Sequence, residues 1–171
     1  SIEPAETIFK YSGKAPEVVK YTIDGEKPEG LLLDHQIASY ETYGSGVDVG
    51  EYDQFSMNNA KIFDGSGHDV TKNYSISYEE SKLVITPAPL TITTNSAEKT
   101  YDGSALTAGG KIEFTEDGKT VTVADNANGM VQLKNGETVT FTVTGSQTEV
   151  GESKNTYEIK WNGTAKETNY T

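Results

Sequence analysis

The chain has 171 residues, 34% of them hydrophobic and 23% charged, with 17 Gly, 5 Pro and no Cys. Fourteen Lys and no Arg stand against 26 Asp plus Glu, a net charge of -12, which argues against nucleic-acid binding and anionic membrane surfaces. The absence of Cys excludes disulfides, thiolate catalysis and Cys-ligated metal.

That length suits one large domain or two small ones, and 10 Tyr, 5 Phe and a Trp supply material for a core. No run approaches the roughly 18 apolar residues of a membrane-spanning helix. No charged segment followed by an apolar one opens the chain, so neither membrane insertion nor a signal peptide is expected.

Strand patterns dominate. In chain order they are Val18-Val19-Lys20-Tyr21-Thr22-Ile23, Tyr74-Ser75-Ile76-Ser77-Tyr78, Leu83-Val84-Ile85-Thr86 and Leu90-Thr91-Ile92-Thr93. Thr120-Val121-Thr122-Val123, Thr138-Val139-Thr140-Phe141-Thr142-Val143-Thr144 and Tyr157-Glu158-Ile159-Lys160-Trp161 follow. Each alternates, or nearly so, in Thr, Val, Ile and aromatics, the mark of half-buried strands. Turns are expected at Asp24-Gly25, Asp64-Gly65, Asp102-Gly103, Asp117-Gly118 and Asn135-Gly136. Residues 31–43 have room for a short helix but lack a 3.6-residue apolar stripe.

One hairpin can be tested for register. A two-residue Asn135-Gly136 turn would set Leu133 against Thr138 and mix apolar with polar residues on one face. A three-residue loop, Asn135-Gly136-Glu137, pairs Leu133 with Val139 and Val131 with Phe141, and all four share a face. The three-residue loop with a bulge is the expectation.

The sequence repeats itself. Phe9-Lys10-Tyr11-Ser12-Gly13 recurs as Lys99-Thr100-Tyr101-Asp102-Gly103. Val49-Gly50-Glu51 recurs as Val150-Gly151-Glu152, and Lys72-Asn73-Tyr74-Ser75 as Thr168-Asn169-Tyr170-Thr171. Order is kept while spacing drifts, and a loop-like insertion at Ala124-Asp125-Asn126-Ala127-Asn128-Gly129 accounts for the first drift. Such motifs predict tandem domains, at 1–87 and 88–171. Pro87-Ala88-Pro89 between them is a stiff joint, so an elongated pair is expected. Copy one runs past Asn73-Tyr74 into Leu83-Val84-Ile85-Thr86, whereas copy two stops at Tyr170-Thr171. Copy two is therefore expected to lack about one strand and to carry an unpaired edge, as a piece of a longer array would.

These motifs resemble the bacterial surface repeat called MBG (mostly β-grasp) and its relative, the YDG repeat. The match in copy two runs over Lys99-Thr100-Tyr101-Asp102-Gly103, Val143-Thr144-Gly145-Ser146-Gln147-Thr148-Glu149-Val150-Gly151, Trp161-Asn162-Gly163-Thr164-Ala165-Lys166 and Asn169-Tyr170. In copy one it is strongest from Asp64-Gly65-Ser66-Gly67-His68-Asp69-Val70-Thr71-Lys72-Asn73-Tyr74 to Leu83-Val84-Ile85-Thr86. Copy one departs at Ser12, where the family has Asp. The resemblance implies an all-β chain of two small β-rich domains, β-grasp-like or immunoglobulin-like sandwiches, from an adhesin-like bacterial cell-surface or secreted protein. It carries over no catalytic residue.

Candidate sites are sparse. His35 and His68 have no counterpart in copy two, and no activated Ser, P-loop or His-Glu-x-x-His motif accompanies them. Asp64-Gly65-Ser66-Gly67-His68-Asp69 offers oxygen ligands but reads as a hairpin turn rather than a Ca²⁺ loop. Glu79-Glu80 and Glu116-Asp117 are adjacent pairs, unlike carboxylates facing each other across a glycosidase cleft. The recurring Tyr11/Tyr101 and Tyr74/Tyr170 read as packing residues. Tyr40, Tyr43 and Tyr52 cluster in copy one without repeats, and Tyr suits a binding surface; these three are the candidate ligand-binding residues. No lysine is nominated for an isopeptide bond. The expectation is a non-catalytic, monomeric stalk or adhesion segment without cofactor or metal. Host glycan or extracellular-matrix protein is the candidate partner. An accessory region of a polysaccharide-degrading surface enzyme is the other alternative.

Overall fold

The computed structural model describes residues 1–24 and 31–171. The chain divides into two compact units, Ser1–Thr86 and Pro87–Thr171. Both are almost entirely β-structure, and the only helical pieces among the described residues are two single 3-10 turns.

The first unit contains β1 (Ile2–Pro4), β2 (Ile8–Lys10), β3 (Tyr21–Ile23), β4 (Gln36–Tyr43), β5 (Gly50–Phe63), a 3-10 turn (Thr71–Asn73) and β6 (Ser81–Thr86). Antiparallel β1 and β3 form one sheet, and β2-β6-β5-β4 the other. The long β5 serves two neighbours: its first half pairs with β6 and its second with β4. A register shift between Tyr52 and Phe55 separates the halves. It also breaks the alternation, so Phe55, Ser56 and Met57 are all buried in sequence. β6 sits between β5, antiparallel to it, and β2, parallel to it. Its Leu83 and Ile85 are buried in the core with Ile2, Val18, Phe55, Met57 and Ile62. Burying each such side chain stabilises the unit by about 1.5–3 kcal/mol. The Tyr21 and Tyr40 rings meet edge to face across the two sheets.

The second unit contains β7 (Leu90–Thr94), β8 (Gly110–Glu116), β9 (Lys119–Ala127), β10 (Gly129–Gln132), β11 (Thr138–Val143), β12 (Tyr157–Trp161) and a 3-10 turn (Glu167–Asn169). Its sheets are β7-β8-β9 and β10-β11-β12. They face each other closely. A Cβ on Gly110 of β8 would lie 2.5 Å from the Phe141 ring on β11. Asp117 and Gly118, at φ 47° and 73°, make the two-residue turn from β8 to β9, the mirror-image turn that strand twist favours.

Several expectations change. Residues 36–43 form β4, not part of a helix. Of the 18–23 run only Tyr21–Ile23 is strand, although Val18 is core, its amide donating to Thr42 Oγ1. The 74–78 run makes only an isolated bridge through Tyr78. Residues 124–129 are not a loop: β9 runs to Ala127 and β10 starts at Gly129. The chain changes sheets there because Asn126 takes a left-handed φ of 49° and its Oδ1 accepts the Gly109 amide. The Asp24-Gly25 turn runs into residues outside the described ones.

The β10–β11 hairpin keeps its three-residue loop, but two residues out of the expected register. Val131 pairs with Val139 and Gln132 with Thr138, so the loop is Lys134-Asn135-Gly136. The Gly136 amide donates to Leu133 O, and Gly136 sits at φ 86°. A three-residue loop needs its left-handed residue last, and only Gly takes that place without strain. A shift of two preserves the face, so Val131, Leu133, Val139 and Phe141 are all buried.

The two units repeat in backbone as well as sequence. Gly13 and Gly103 share φ 77° and 78°, and Gly50 and Gly151 share φ 155° and 147°. A Cβ on Gly44 would meet Gln54 O at 2.0 Å, and one on Gly145 would meet Asn155 Cα at 2.6 Å; both pairs differ by the same 101 positions as the Val-Gly-Glu motif. In each unit the opening segment pairs in parallel with the residues after the 3-10 turn, Ile2 with Tyr78 and Ala88 with Tyr170.

Candidate functional site

The three candidate tyrosines do not present one surface. Tyr40 on β4 donates its hydroxyl to Val18 O at 2.7 Å, tying the 18–20 segment to the sheet. Tyr52 on β5 donates to Asp48 O at 2.8 Å, and its ring lies where a Cβ on Gly46 would stand. Tyr43, at the end of β4, is 50% exposed, the most exposed of the three.

The other sequence candidates are used locally. Asp64 Oδ1 accepts the Ser66 and His68 amides, each at 2.9 Å. The His68 amide bond is the main cause that holds the Asp64 carboxyl below its ordinary range. Asp69 is also held low, first by the Thr71 side chain and then by the Thr71 amide. The carboxylates thus organise their own turn. His35 Nδ1 lies 2.6 Å from the Tyr74 hydroxyl, which also accepts the Leu32 amide, and Asp34 stands 3.6 Å from the other ring nitrogen. This pins residues 32–35 to the segment after the 3-10 turn. Glu116 pairs with Lys134 across the hairpins. Among the described residues no group of three or more His, Asp or Glu is arranged to hold a metal ion.

The repeated Tyr-x-Gly motif is a turn device. In the second unit Asp102 Oδ1 accepts from Lys99 Nζ at 2.9 Å, from the Ser104 amide at 2.9 Å and from Ser104 Oγ at 2.7 Å. The Lys99 bond, then those from Ser104, hold its carboxyl well below the ordinary range. Tyr101 departs from the expected packing role. Tyr11 is 6% exposed but Tyr101 is 56% exposed.

The reason is a cleft that the sequence motifs did not reveal. It has a volume of ≈ 860 Å³ and lies in the second unit between residues 94–101 and 145–155, with residues 106–108 between them. These walls correspond by repeat to β2 and the start of β5, the two neighbours of β6 in the first unit. Among the described residues no strand lies between them, and Tyr101 and Val150, the latter 87% exposed, face this cleft. Among the described residues, 97–101 and 148–154 make no backbone-to-backbone hydrogen bond. Asn155 on one wall donates to Asn95 O at 2.9 Å, while its buried Oδ1 has no donor.

Comparison with known proteins finds no matching family model, no curated relative and no solved structure similar to this chain.

Proposed function

We propose that this chain is a non-catalytic stalk segment of a bacterial cell-surface or secreted protein, two modules that space or present a binding region. The observation that carries the reading is repetition of one plan in both units. The same glycines hold the same backbone angles, and the same parallel pairing of the opening segment with the residues after the 3-10 turn recurs. Duplication of a whole module serves reach, since each copy adds length without new chemistry. The motif resemblance to MBG and YDG repeats points the same way. So does the acidic, Arg-free composition, which favours a protein that stays dissolved and apart from its own kind.

The test is a screen of the intact chain on glycan and extracellular-matrix arrays, beside Tyr43→Ala. A stalk segment gives no saturable binding with either protein. Saturable binding lost in Tyr43→Ala would overturn the reading in favour of an adhesive module whose contact surface lies at the end of β4. Tyr43 suits this test because it is half exposed, whereas Tyr40 and Tyr52 hold the fold through their hydroxyls.

A further inference from the structure

We propose that Asn162 modifies itself: the Gly163 backbone nitrogen attacks its side-chain amide, and Asn162 becomes isoaspartate or aspartate. Water is the only co-reactant. The Gly163 nitrogen bonds to Asn162 Cγ and gives its proton to solvent. The Cγ–Nδ2 bond breaks, and Nδ2 takes up a proton and leaves as ammonia, closing a cyclic imide. Water then opens the imide at either carbonyl. Opening at Cγ leaves aspartate. Opening at the main-chain carbonyl leaves isoaspartate, with the backbone now running through Cβ and Cγ. Nothing is oxidised or reduced.

The sequence offers this reaction in three places, all in the second unit: Asn128-Gly129, Asn135-Gly136 and Asn162-Gly163. Glycine, lacking a side chain, crowds ring closure least. The structure tells the three apart, because attack needs a glycine nitrogen free to give up its proton. The Gly136 amide is occupied, donating to Leu133 O at 3.0 Å. Asn135 is held at both ends, its Nδ2 donating to the Tyr170 hydroxyl and its Oδ1 accepting from the Glu137 amide. Gly129 lies in the β10–β11 ladder opposite Phe141, and Asn128 Oδ1 accepts the Val143 amide at 3.2 Å. Gly163 differs. It is exposed, a Cβ on it would meet nothing within 4 Å, and its amide donates to no backbone group among the described residues. The Asn162 amide is placed by one side-chain bond, from Nδ2 to Thr140 Oγ1 at 3.0 Å, and the departing ammonia breaks it.

The position gives the change a consequence. Asn162 follows β12 directly, its amide donating to Thr138 O and its carbonyl accepting the Ala165 amide. Beyond it Ala165, Asn169 and Tyr170 are buried, and Thr171 donates to Ala88 O. Isoaspartate adds a methylene to the main chain between β12 and these residues and a negative charge to a chain already at -12. The pairing with Ala88 therefore loosens as the protein ages.

The experiment ages the intact chain in mildly alkaline buffer and follows each Asn-Gly pair by peptide mapping and mass spectrometry, with isoaspartate counted by enzymatic methyl labelling. Asn162 should convert at least about fivefold faster than Asn135, the worth of the one hydrogen bond that occupies the Gly136 amide. In chain unfolded with urea the three rates should converge. Amide exchange at Ala88 and Thr171 should be faster in aged than in fresh chain, while Asn162→Gln, aged alike, should keep the exchange it starts with. Conversion of Asn128 or Asn135 ahead of Asn162 in the folded chain would overturn the proposal. So would equal rates at the three, or an intact Asn162 after a time that converts it in urea. Exchange at Ala88 and Thr171 unchanged by conversion would overturn the loosening.

Discussion

Gly44 and Gly145 are the positions where a single atom matters most. Each sits where a side chain would collide with backbone, against Gln54 O of β5 in one unit and against Asn155 and Thr156, just before β12, in the other. Backbone cannot step aside as a flexible side chain can. Gly145→Ala should therefore destabilise the second unit by ~3 kcal/mol, the upper range for overpacking, as a lower denaturant midpoint would record. Asp102 makes a different prediction. Its carboxyl is held below the ordinary value of 3.8, first by Lys99 and then by Ser104. A depressed carboxylate stabilises the fold above its unfolded pKa, and that contribution disappears as pH falls through the folded one. The loss thus sets in as pH approaches 3.8 from above and grows as pH falls further. Asp102→Asn should flatten the stability profile there and leave its shape near neutrality unchanged, as urea midpoints across pH would show. Asp102 was legible in the sequence as part of a turn. That Tyr101 beside it is exposed was not, because whether a ring is covered is decided by residues distant in sequence and not by its own motif.

Strands with clean alternation could be read directly. Residues 157–161 and 90–93 lie in β12 and β7, where every second residue meets one neighbour across a regular ladder. β5, the longest strand, went unread. Its Asp, Gln and paired Asn residues have poor strand propensity, its bulge sets three buried residues in a row, and Asn59 takes a φ of 50°. Its partners impose the strand, and partners are not a local property of sequence. The β10–β11 hairpin lies between these cases. Face was readable because apolar residues must lie together. The exact register was set by one left-handed glycine. Gly136→Ala should cost roughly 1 kcal/mol, since its φ of 86° is strained for a side chain even though space is open around it. A thermal scan against the parent chain measures it. Each unit also lacks, among its described residues, any α-helix for a sheet to clasp, and its two small facing sheets are closer to a sandwich than to a β-grasp.

The repeat made the two-unit plan visible at the scale of the whole molecule, while the cleft became visible only once the copies could be compared wall by wall. The parallel closure of each unit has a mechanical meaning. In the first unit, β2 near the start and β6 at the end lie side by side and run the same way, Ile8 beside Val84 to Lys10 beside Thr86. Tension applied to the two ends of that unit slides these strands along each other. Every bond between them is loaded together, where a hairpin would unzip bond by bond. The second unit closes with a shorter clasp: Ala88 donates to Asn169 O and Leu90 to Thr171 O, while Thr171 donates back to Ala88 O. Resistance to pulling follows the rate of unfolding rather than equilibrium stability. Stretching single molecules between tethered ends should therefore produce two unequal rupture events, with the second unit giving way first and the first unit holding to the higher force. A tether built of such modules would lengthen in steps under flow, releasing slack before its firmest link breaks.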